Sequence, residues 1–381
     1  MLQAIFKFGD FWDTLSVVFY ISIGMVVSLL CKKGSNYNFI NHKKQEAYNI
    51  FYGAALLVLI FIYTFRDGSV GSDAVAYIEF FEKAEIVDVK WTELFLFTQM
   101  EPLFLLTNYL LRSITEHYTV LFLFYGVIIS FAYIEFIKDF WSKNSDYVFL
   151  IGFVVGFVYS FTAMRSSMAM AFILFSLCSL RKEHYFKAIL LTFAGALYHF
   201  TAIVNFPLIV FYYLSQKSDR KYNQRLIFFS TLLFSGAILI LGSLKSFLLT
   251  TKYHSYAETS GNSFLGNWPI ILSVLIAIWL IRHGYSKNRD NLICITCSLY
   301  TGVLLIPSIY LGAYRLTTFY ELPNLFLFGL IGGISDPEKD DRRKIYMRKL
   351  LFLVMILFYC LYIFGRRSNT GGFEYSFAPL F

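Results

Sequence analysis

Long apolar segments follow one another along almost the whole chain, and only short polar loops separate them. A helix needs about 20 apolar residues to cross the hydrocarbon core of a bilayer, and fewer where protein packing or local thinning helps. Hydrophobic residues make up 57% of the sequence and charged residues only 15%, a smaller charged share than soluble domains have. We therefore predict an all-α, polytopic membrane protein whose 381 residues form one transmembrane domain.

The apolar segments predict about twelve transmembrane helices. Lys and Arg are concentrated in six of the intervening loops, so the positive-inside rule places these loops in the cytoplasm and both termini outside. The net charge of +8 is spread over short loops, which indicates membrane orientation and no nucleic-acid partner. The predicted spans are residues 12–31, 47–65, 118–138, 147–163, 166–181, 186–198, 201–215, 226–245, 267–282, 291–307, 316–333 and 349–364.

Residues 66–117 and 246–266 form the two longest external loops in this topology. The first is predicted to contain an amphipathic helix and, at 101–115, a short apolar segment that enters the membrane or lies at its interface. Such a re-entrant segment is tolerated only where protein or a water-filled cavity covers it. The second loop carries polar and aromatic residues suited to a sugar-binding surface: Lys252, Tyr253, His254 and Tyr256.

Arg165 is the charged residue that the sequence singles out first. It lies between two predicted spans and is followed directly by Ser166 and Ser167, at the expected start of a helix. An arginine at bilayer depth is costly and usually faces a cavity or a partner. Together with the free N–H groups of a helix start, its guanidinium would form an anion site suited to phosphate. The alternative is an interfacial arginine beside a serine-capped helix.

Arg315 repeats this arrangement, since it precedes a predicted span that contains Glu321 and Pro323. A glutamate in an apolar helix is costly unless it is paired. The two charged residues are six positions apart, which does not suit a pair on one helix, so partners on other helices are expected. A structural ion pair and a functional role remain equally open.

The first external loop contains the sequence R-D-G-S-V-G-S-D, from Arg66 to Asp73, followed by an amphipathic helix with Tyr77. Aspartate is a common helix N-cap, so Asp73 is a candidate for a cap, for a catalyst or for both. Asp67 and Asp73 do not have the D-x-D spacing that often holds a divalent metal. We therefore predict no obligatory metal ion.

Glu101 and His199 are two further polar candidates on the external side. Glu101 precedes Pro102 at a helix start, where a carboxylate is favoured by the helix dipole, so a structural role is its default. His199 lies at the apex between two short predicted spans. A lone histidine at an interface is more often structural than functional.

Several short motifs occur in an order that resembles the EpsG family of membrane polysaccharide polymerases, which belongs with the Wzy-type O-antigen and capsule polymerases. The resemblance covers about residues 45–325. Where the family commonly has Thr, Gly and Ser, this chain has Ser72, Leu103 and Phe200. The motifs are an arginine and G-S-D-x-x-x-Y after the second span, E-P-L-F-L-L from Glu101, R-S-S-M-A-M-A from Arg165, Y-H-F-T-A-I around His199, K-Y-H-S-Y from Lys252 and R-x-x-x-F-Y from Arg315.

This resemblance implies a GT-C-like glycosyltransferase that acts on the periplasmic face of the bacterial inner membrane without a cofactor. It would move a growing glycan from undecaprenyl diphosphate onto a hydroxyl of a lipid-linked repeat unit, with inversion of the anomeric centre. A Wzz-type chain-length regulator is an expected partner, besides the lipid bilayer. The implied roles are diphosphate binding for Arg165, Arg315 and Arg66, the catalytic base for Asp73, His199 or Glu101, and substrate contacts for Tyr77, Lys252, Tyr253, Tyr256, Tyr320 and Glu321.

Two alternatives remain open. An O-antigen ligase or another lipid-linked-sugar transferase would use the same donor, although ligases usually carry one large late external loop and residues 246–266 form only a short one. A flippase or transporter would place charges along a path open to both faces. The charged residues here instead gather on one face, with Glu321 as the exception.

Overall fold

The computed structural model describes residues 11–36, 42–84, 100–140, 156–216, 236, 268–282, 289–310, 315–333 and 346. The regular structure in these ranges is helical, without strands, which confirms the all-α prediction. The α-helices are α1 (Phe11–Asn36), α2 (His42–Thr64), α3 (Ala74–Glu82), α4 (Pro102–Ile114), α5 (Thr119–Phe140), α6 (Met164–Arg181), α7 (Tyr185–Tyr198), α8 (Asn205–Gln216), α9 (Trp268–Arg282), α10 (Arg289–Tyr310), α11 (Arg315–Thr318) and α12 (Glu321–Gly333). Two 3-10 helices, Val158–Phe161 and Phe200–Val204, precede α6 and α8.

Helix α6 is central to the packing, since it contacts α5, α7 and α10. Its buried residues occur at almost every position between Met164 and Leu180, as expected of a helix that is enclosed on all sides. Helix α2 joins this group through contacts with α1 and α5. Helices α9, α10 and α12 pack on one another, and α10 links them to α6 and α8.

The two ends of α6 carry different chemistry. At its last turn, the Asp139 carboxylate at the end of α5 forms an ion pair with the Lys182 ammonium at 2.8 Å and lies 3.7 Å from Arg181. The neighbouring Asp139 carboxylate raises the pKa of Lys182. Since α5 and α6 end together, their starts lie at the opposite end of the bundle, where Arg165 and the returning end of α7 also lie.

Within the described ranges one helix, Thr119–Phe140, is by its length and composition capable of crossing a membrane alone. Shorter apolar helices of 10–17 residues lie at Ile50–Thr64, Tyr185–Tyr198, Phe200–Leu214, Ile270–Arg282 and Asn291–Leu305. The count of about twelve spans therefore stays a prediction. The predicted segments 226–245, 246–266 and 349–364 lie outside the described residues, apart from the single helical residue 236.

Two predicted continuous spans are interrupted in the structure. Segment 201–215 opens as the 3-10 helix Phe200–Val204 and becomes α-helical only at Asn205. Segment 316–333 is divided by a turn at Phe319–Tyr320 into α11 and α12, and Pro323 occupies the first turn of α12, where proline is tolerated. Hydropathy does not register either break, because both interrupted stretches consist mostly of apolar or aromatic residues.

Helix α4 occupies the segment expected to be re-entrant or interfacial. Its 13 residues rise about 20 Å, which is less than the ~30 Å of a hydrocarbon core. Its buried face, which includes Phe104 and Asn108, packs against α3 and α7. Helix α4 thus brings the residue before it, Glu101, against the helices that carry Arg165 and His199.

Candidate active site

An ion pair between Glu101 and Arg165 forms the centre of the candidate site. Arg165 Nη1 donates to Glu101 Oε2 at 2.8 Å and contacts Met100 Sδ at 2.9 Å. The Glu101 side chain is 8% exposed and the Arg165 side chain 21% exposed. Arg165 Nε is buried without an acceptor among the described residues. A guanidinium has five N–H donors, so this pair does not saturate Arg165.

Glu101 also binds the turn between α7 and α8. Its Oε1 accepts the backbone N–H of Phe200 at 3.4 Å. Although Glu101 stands at the N-cap position of α4, its side chain makes no cap hydrogen bond. The carboxylate therefore joins the start of α6 to the turn at residues 199–200, instead of capping its own helix.

His199 lies in this turn with an extended backbone and a buried side chain. Its Nδ1 accepts the backbone N–H of Thr201 at 3.4 Å and lies 2.8 Å from Thr201 Oγ1, so the ring caps the 3-10 helix. When Nδ1 accepts, the neutral imidazole carries its proton on Nε2. In this arrangement the ring has a donor, and not a basic nitrogen, at Nε2.

Tyr77 approaches Arg165 from helix α3, which follows the loop after α2. Its hydroxyl lies beside the guanidinium, and its ring meets Phe104 edge-on with centroids 5.9 Å apart. The Arg165 Cζ lies 5.4 Å from the same Phe104 ring. The Phe104 ring thus packs against both the Tyr77 ring and the Arg165 guanidinium.

Asp73 stands at the N-cap position of α3, one helical turn before Tyr77. Its side chain makes no cap hydrogen bond and instead accepts Ser72 Oγ at 3.3 Å. The carboxylate is partly exposed. The Asp73 side chain therefore does not act as a helix cap in this structure, and its catalytic role stays a prediction.

Arg66 is enclosed by aromatic rings and has no exposed surface. Its Cζ lies 4.2 Å from the ring centre of Tyr63, 4.0 Å from that of Phe122 and 4.7 Å from that of Phe161. Its guanidinium donates to the carbonyls of Tyr63 at 3.3 Å and Phe161 at 3.5 Å. A direct contact with a substrate diphosphate would require this aromatic cage to open.

Gly71 makes a second contact between the first loop and Phe161. Its φ is +101°, a conformation that L-residues rarely adopt. A Cβ on Gly71 would collide with the Phe161 carbonyl oxygen and lie 2.7 Å from its carbonyl carbon. The loop that carries Asp73 therefore lies directly on the backbone that leads into Arg165.

The remaining candidates are divided between several places. Helix α11, which begins at Arg315, packs against the 3-10 helix Phe200–Val204 and so approaches the turn bound by Glu101. Glu321 begins α12 and is half-buried. Tyr320, expected to contact substrate, is 0% exposed and donates to Asn205 Oδ1 at 3.0 Å, so its hydroxyl belongs to the protein interior. Lys252, Tyr253 and Tyr256 lie outside the described residues.

The sequence did not point to three parts of this site: the Met100 thioether, the Phe104 ring and the Phe200 backbone N–H. Phe104 follows Glu101 by three residues, which places both on one face of α4. That spacing could have identified Phe104 from the sequence. No sequence signal could have identified the Phe200 contact, because every residue type except proline has the same backbone N–H.

A model of the EpsG family matches residues 49–379. Comparisons with curated proteins and with solved structures give no match. The match includes the first loop, the Glu101–Arg165 pair, the His199 turn and the Arg315 segment, and extends further than the resemblance seen in the motifs. The chain belongs to the EpsG family, whose members are membrane-associated and act in polysaccharide biosynthesis.

Proposed function

We propose that this protein is a membrane glycosyltransferase that polymerises lipid-linked oligosaccharide repeat units of an O-antigen or capsule. The donor is a growing glycan on undecaprenyl diphosphate, and the acceptor is a hydroxyl of an incoming lipid-linked unit. The site faces the periplasm from a multi-pass, GT-C-like scaffold in the bacterial inner membrane. A chain-length regulator of the Wzz type acts beside it.

The observation that carries this proposal is the partly buried Arg165–Glu101 pair beside the His199 turn. Cleavage of the anomeric bond leaves negative charge on a diphosphate, and arginine binds such oxygens in a bidentate manner. Arg165 keeps N–H donors beyond those used by Glu101 and Met100. Because α11 packs near the same turn, Arg315 would supply the second positive charge. Preorganised donors of this kind stabilise a leaving group as its charge develops.

Asp73 is the best candidate for the base that deprotonates the acceptor hydroxyl. It is partly exposed, uses no cap bond and lies one turn from Tyr77. Glu101 is a weaker choice because its Oε2 is paired with the Arg165 guanidinium and its Oε1 accepts the Phe200 backbone N–H. His199 is also a weaker choice, because its ring caps the 3-10 helix through Nδ1. A single displacement with Asp73 as base inverts the anomeric centre and needs no metal.

Deletion of the gene, followed by electrophoresis of the cell's polysaccharide, tests the reaction class. Loss of a polymerase leaves glycan with single repeat units and removes the ladder of longer chains. Loss of a ligase or a flippase would leave no attached glycan, and that pattern or a normal ladder would refute the proposal.

Arg165→Ala tests the site, with Arg181→Ala as its matched control. Both substitutions remove an arginine of α6 that pairs with an acidic residue, but Arg181 lies at the other end of the helix, 3.7 Å from Asp139. We expect Arg165→Ala to abolish the ladder at normal protein levels in the membrane fraction and Arg181→Ala to retain it. A normal ladder from Arg165→Ala contradicts the diphosphate role.

A further inference from the structure

A buried polar network lies inside the helix bundle, away from the candidate site. Asn205 Nδ2 donates to Ser176 Oγ at 3.1 Å and to Thr192 Oγ1 at 2.8 Å, while Asn205 Oδ1 accepts the Tyr320 hydroxyl at 3.0 Å. All four side chains are 0% exposed. We call these four residues the Asn205 hub.

The hydrogen bonds of the hub are complete at its centre. Ser176 Oγ and Thr192 Oγ1 both donate to the carbonyl of Ala188, at 3.0 Å and 2.9 Å, so their lone pairs face the Asn205 amide. Both amide hydrogens and the amide oxygen of Asn205 are then used. A fully satisfied buried network is rigid and specifies one arrangement of its members, whereas a partly satisfied one is costly.

Three of the four hub members lie on or directly beside a helix that leads to a candidate site residue, and the fourth, Asn205, follows the 3-10 helix Phe200–Val204. Ser176 follows Arg165 on α6 by eleven residues, about three helical turns, so both point from the same face. Thr192 precedes His199 by seven residues, about two turns of α7. Tyr320 lies in the turn directly after α11, the helix that begins at Arg315.

We infer that the Asn205 hub positions the two arginine-bearing segments relative to each other, so that Asn205 and Tyr320 are positioning residues for glycosyl transfer. This inference rests on the proposed function. The Tyr320–Asn205 bond joins two segments that are 115 residues apart in sequence, and α11 contacts the 3-10 helix immediately before Asn205. The hub thereby fixes the separation between the starts of α6 and α11, whose arginines, Arg165 and Arg315, would bind one diphosphate together.

A double-mutant cycle with Tyr320→Phe and Asn205→Leu tests this role. Each single variant leaves one buried polar group unpaired, namely Asn205 Oδ1 or the Tyr320 hydroxyl, and should lower the unfolding temperature. The double variant leaves neither of these two groups unpaired, although Ser176 and Thr192 lose the Asn205 amide in it as they do in Asn205→Leu. Replacing both partners of a buried hydrogen bond costs less than removing one of them. We therefore expect the double variant to unfold at a higher temperature than Asn205→Leu, while the bond between the two segments remains absent.

The decisive readout is chain extension by the purified full-length protein in lipid discs, with lipid-linked single repeat units extracted from the deletion strain. We expect kcat to fall by about tenfold to 100-fold in both single variants and to stay low in the double variant, with KM little changed. Ser298→Ala is the control, because it removes a buried 3.0 Å hydrogen bond to Ser273 between α9 and α10 without touching the hub. It should retain kcat.

Three results would overturn the inference. Recovery of kcat together with the unfolding temperature in the double variant means that the hub serves stability alone. A raised KM in Tyr320→Phe, additive with Asn205→Leu, means that Tyr320 contacts substrate directly. Normal kcat in all variants means that the hub has no part in the reaction. If Arg165→Ala itself retains chain extension, the proposed function fails, and that result is separate from these three.

Discussion

Gly71→Ala gives the sharpest test of how the loop between α2 and α3 is held. The added Cβ meets the Phe161 carbonyl, with 2.7 Å to its carbon and 3.0 Å to the Thr162 nitrogen. Unstrained carbon–carbon contacts are about 3.5 Å, so one of the two backbones must move by roughly 0.8 Å. The φ of +101° adds strain of about 1–3 kcal/mol for any L-residue.

The backbone on the other side of this contact has little freedom to yield. Arg66 Nη2 binds the Phe161 carbonyl at 3.5 Å, and the Tyr63 hydroxyl donates to the Ser160 carbonyl at 3.0 Å. The shift must therefore fall mainly on the loop that carries Asp73. A misplacement of about 1 Å can cost about 100-fold in rate, so we expect Gly71→Ala to slow chain extension to that extent.

Two other glycines provide graded controls for the same substitution. Gly53 lies in α2 with nothing within 4 Å of its added Cβ, so Gly53→Ala should be neutral or stabilising by about 0.5–1 kcal/mol. A Cβ at Gly68 would lie 2.8 Å from Ile78 Cδ1, the end of a flexible side chain that can move away, and 3.7 Å from the Tyr118 ring, which is an ordinary contact. The initial extension rate and the protein level in membranes are the measurements. A Gly71→Ala rate equal to that of Gly53→Ala would refute this account of the loop.

Three further substitutions address single side chains. Asp73→Asn keeps an acceptor for Ser72 but removes the proposed base. Chain extension should therefore slow by about 100-fold to 10,000-fold at an unchanged unfolding temperature. Unchanged extension would rule out Asp73 as the base. Glu101→Ala leaves the Arg165 charge unpaired and should lower the free energy of unfolding by about 3–5 kcal/mol in calorimetry or denaturant titration, with a smaller loss for Glu101→Gln. Arg66→Met should retain more extension activity than Arg66→Lys. The flexible apolar methionine can fill the aromatic cage, whereas the lysine ammonium cannot stack on the rings as the guanidinium does and would lose most of its solvation there. The reverse order would favour direct diphosphate binding by Arg66.

The sequence predicted the helices of this fold well where apolar residues run without interruption. The expected segments 118–138, 166–181 and 186–198 correspond to Thr119–Phe140, Met164–Arg181 and Tyr185–Tyr198. The amphipathic helix after Asp73 was also correctly placed. Hydropathy indicates which segments tend to be buried but carries no information on backbone dihedral angles. It therefore missed the breaks at residues 200–204 and 319–320.

The individual site residues were easier to predict than their contacts. Arg165 stood out because a charge in an apolar setting requires a partner, but the partner, Glu101, lies 64 residues earlier in the chain. Arg66 looked like a loop residue because it follows a span directly. Its cage is formed by Tyr63, Phe122 and Phe161, which come from three separate segments, and no local pattern records that convergence.

In the proposed multi-pass arrangement, the location of the site at helix ends limits the cost of charge inside a bilayer. The starts of α3, α4, α6 and the 3-10 helix at Phe200 are brought together by the contacts of Tyr77, Glu101 and Arg165, and α11 begins nearby. An α-helix start has N–H groups without intrahelical partners and carries about half a positive charge. These groups favour an anion without requiring further buried lysines or arginines, each of which would add to the insertion cost. One buried carboxylate, Glu101, balances Arg165 in this positive surrounding, and a diphosphate would meet helix dipoles as well as guanidinium groups.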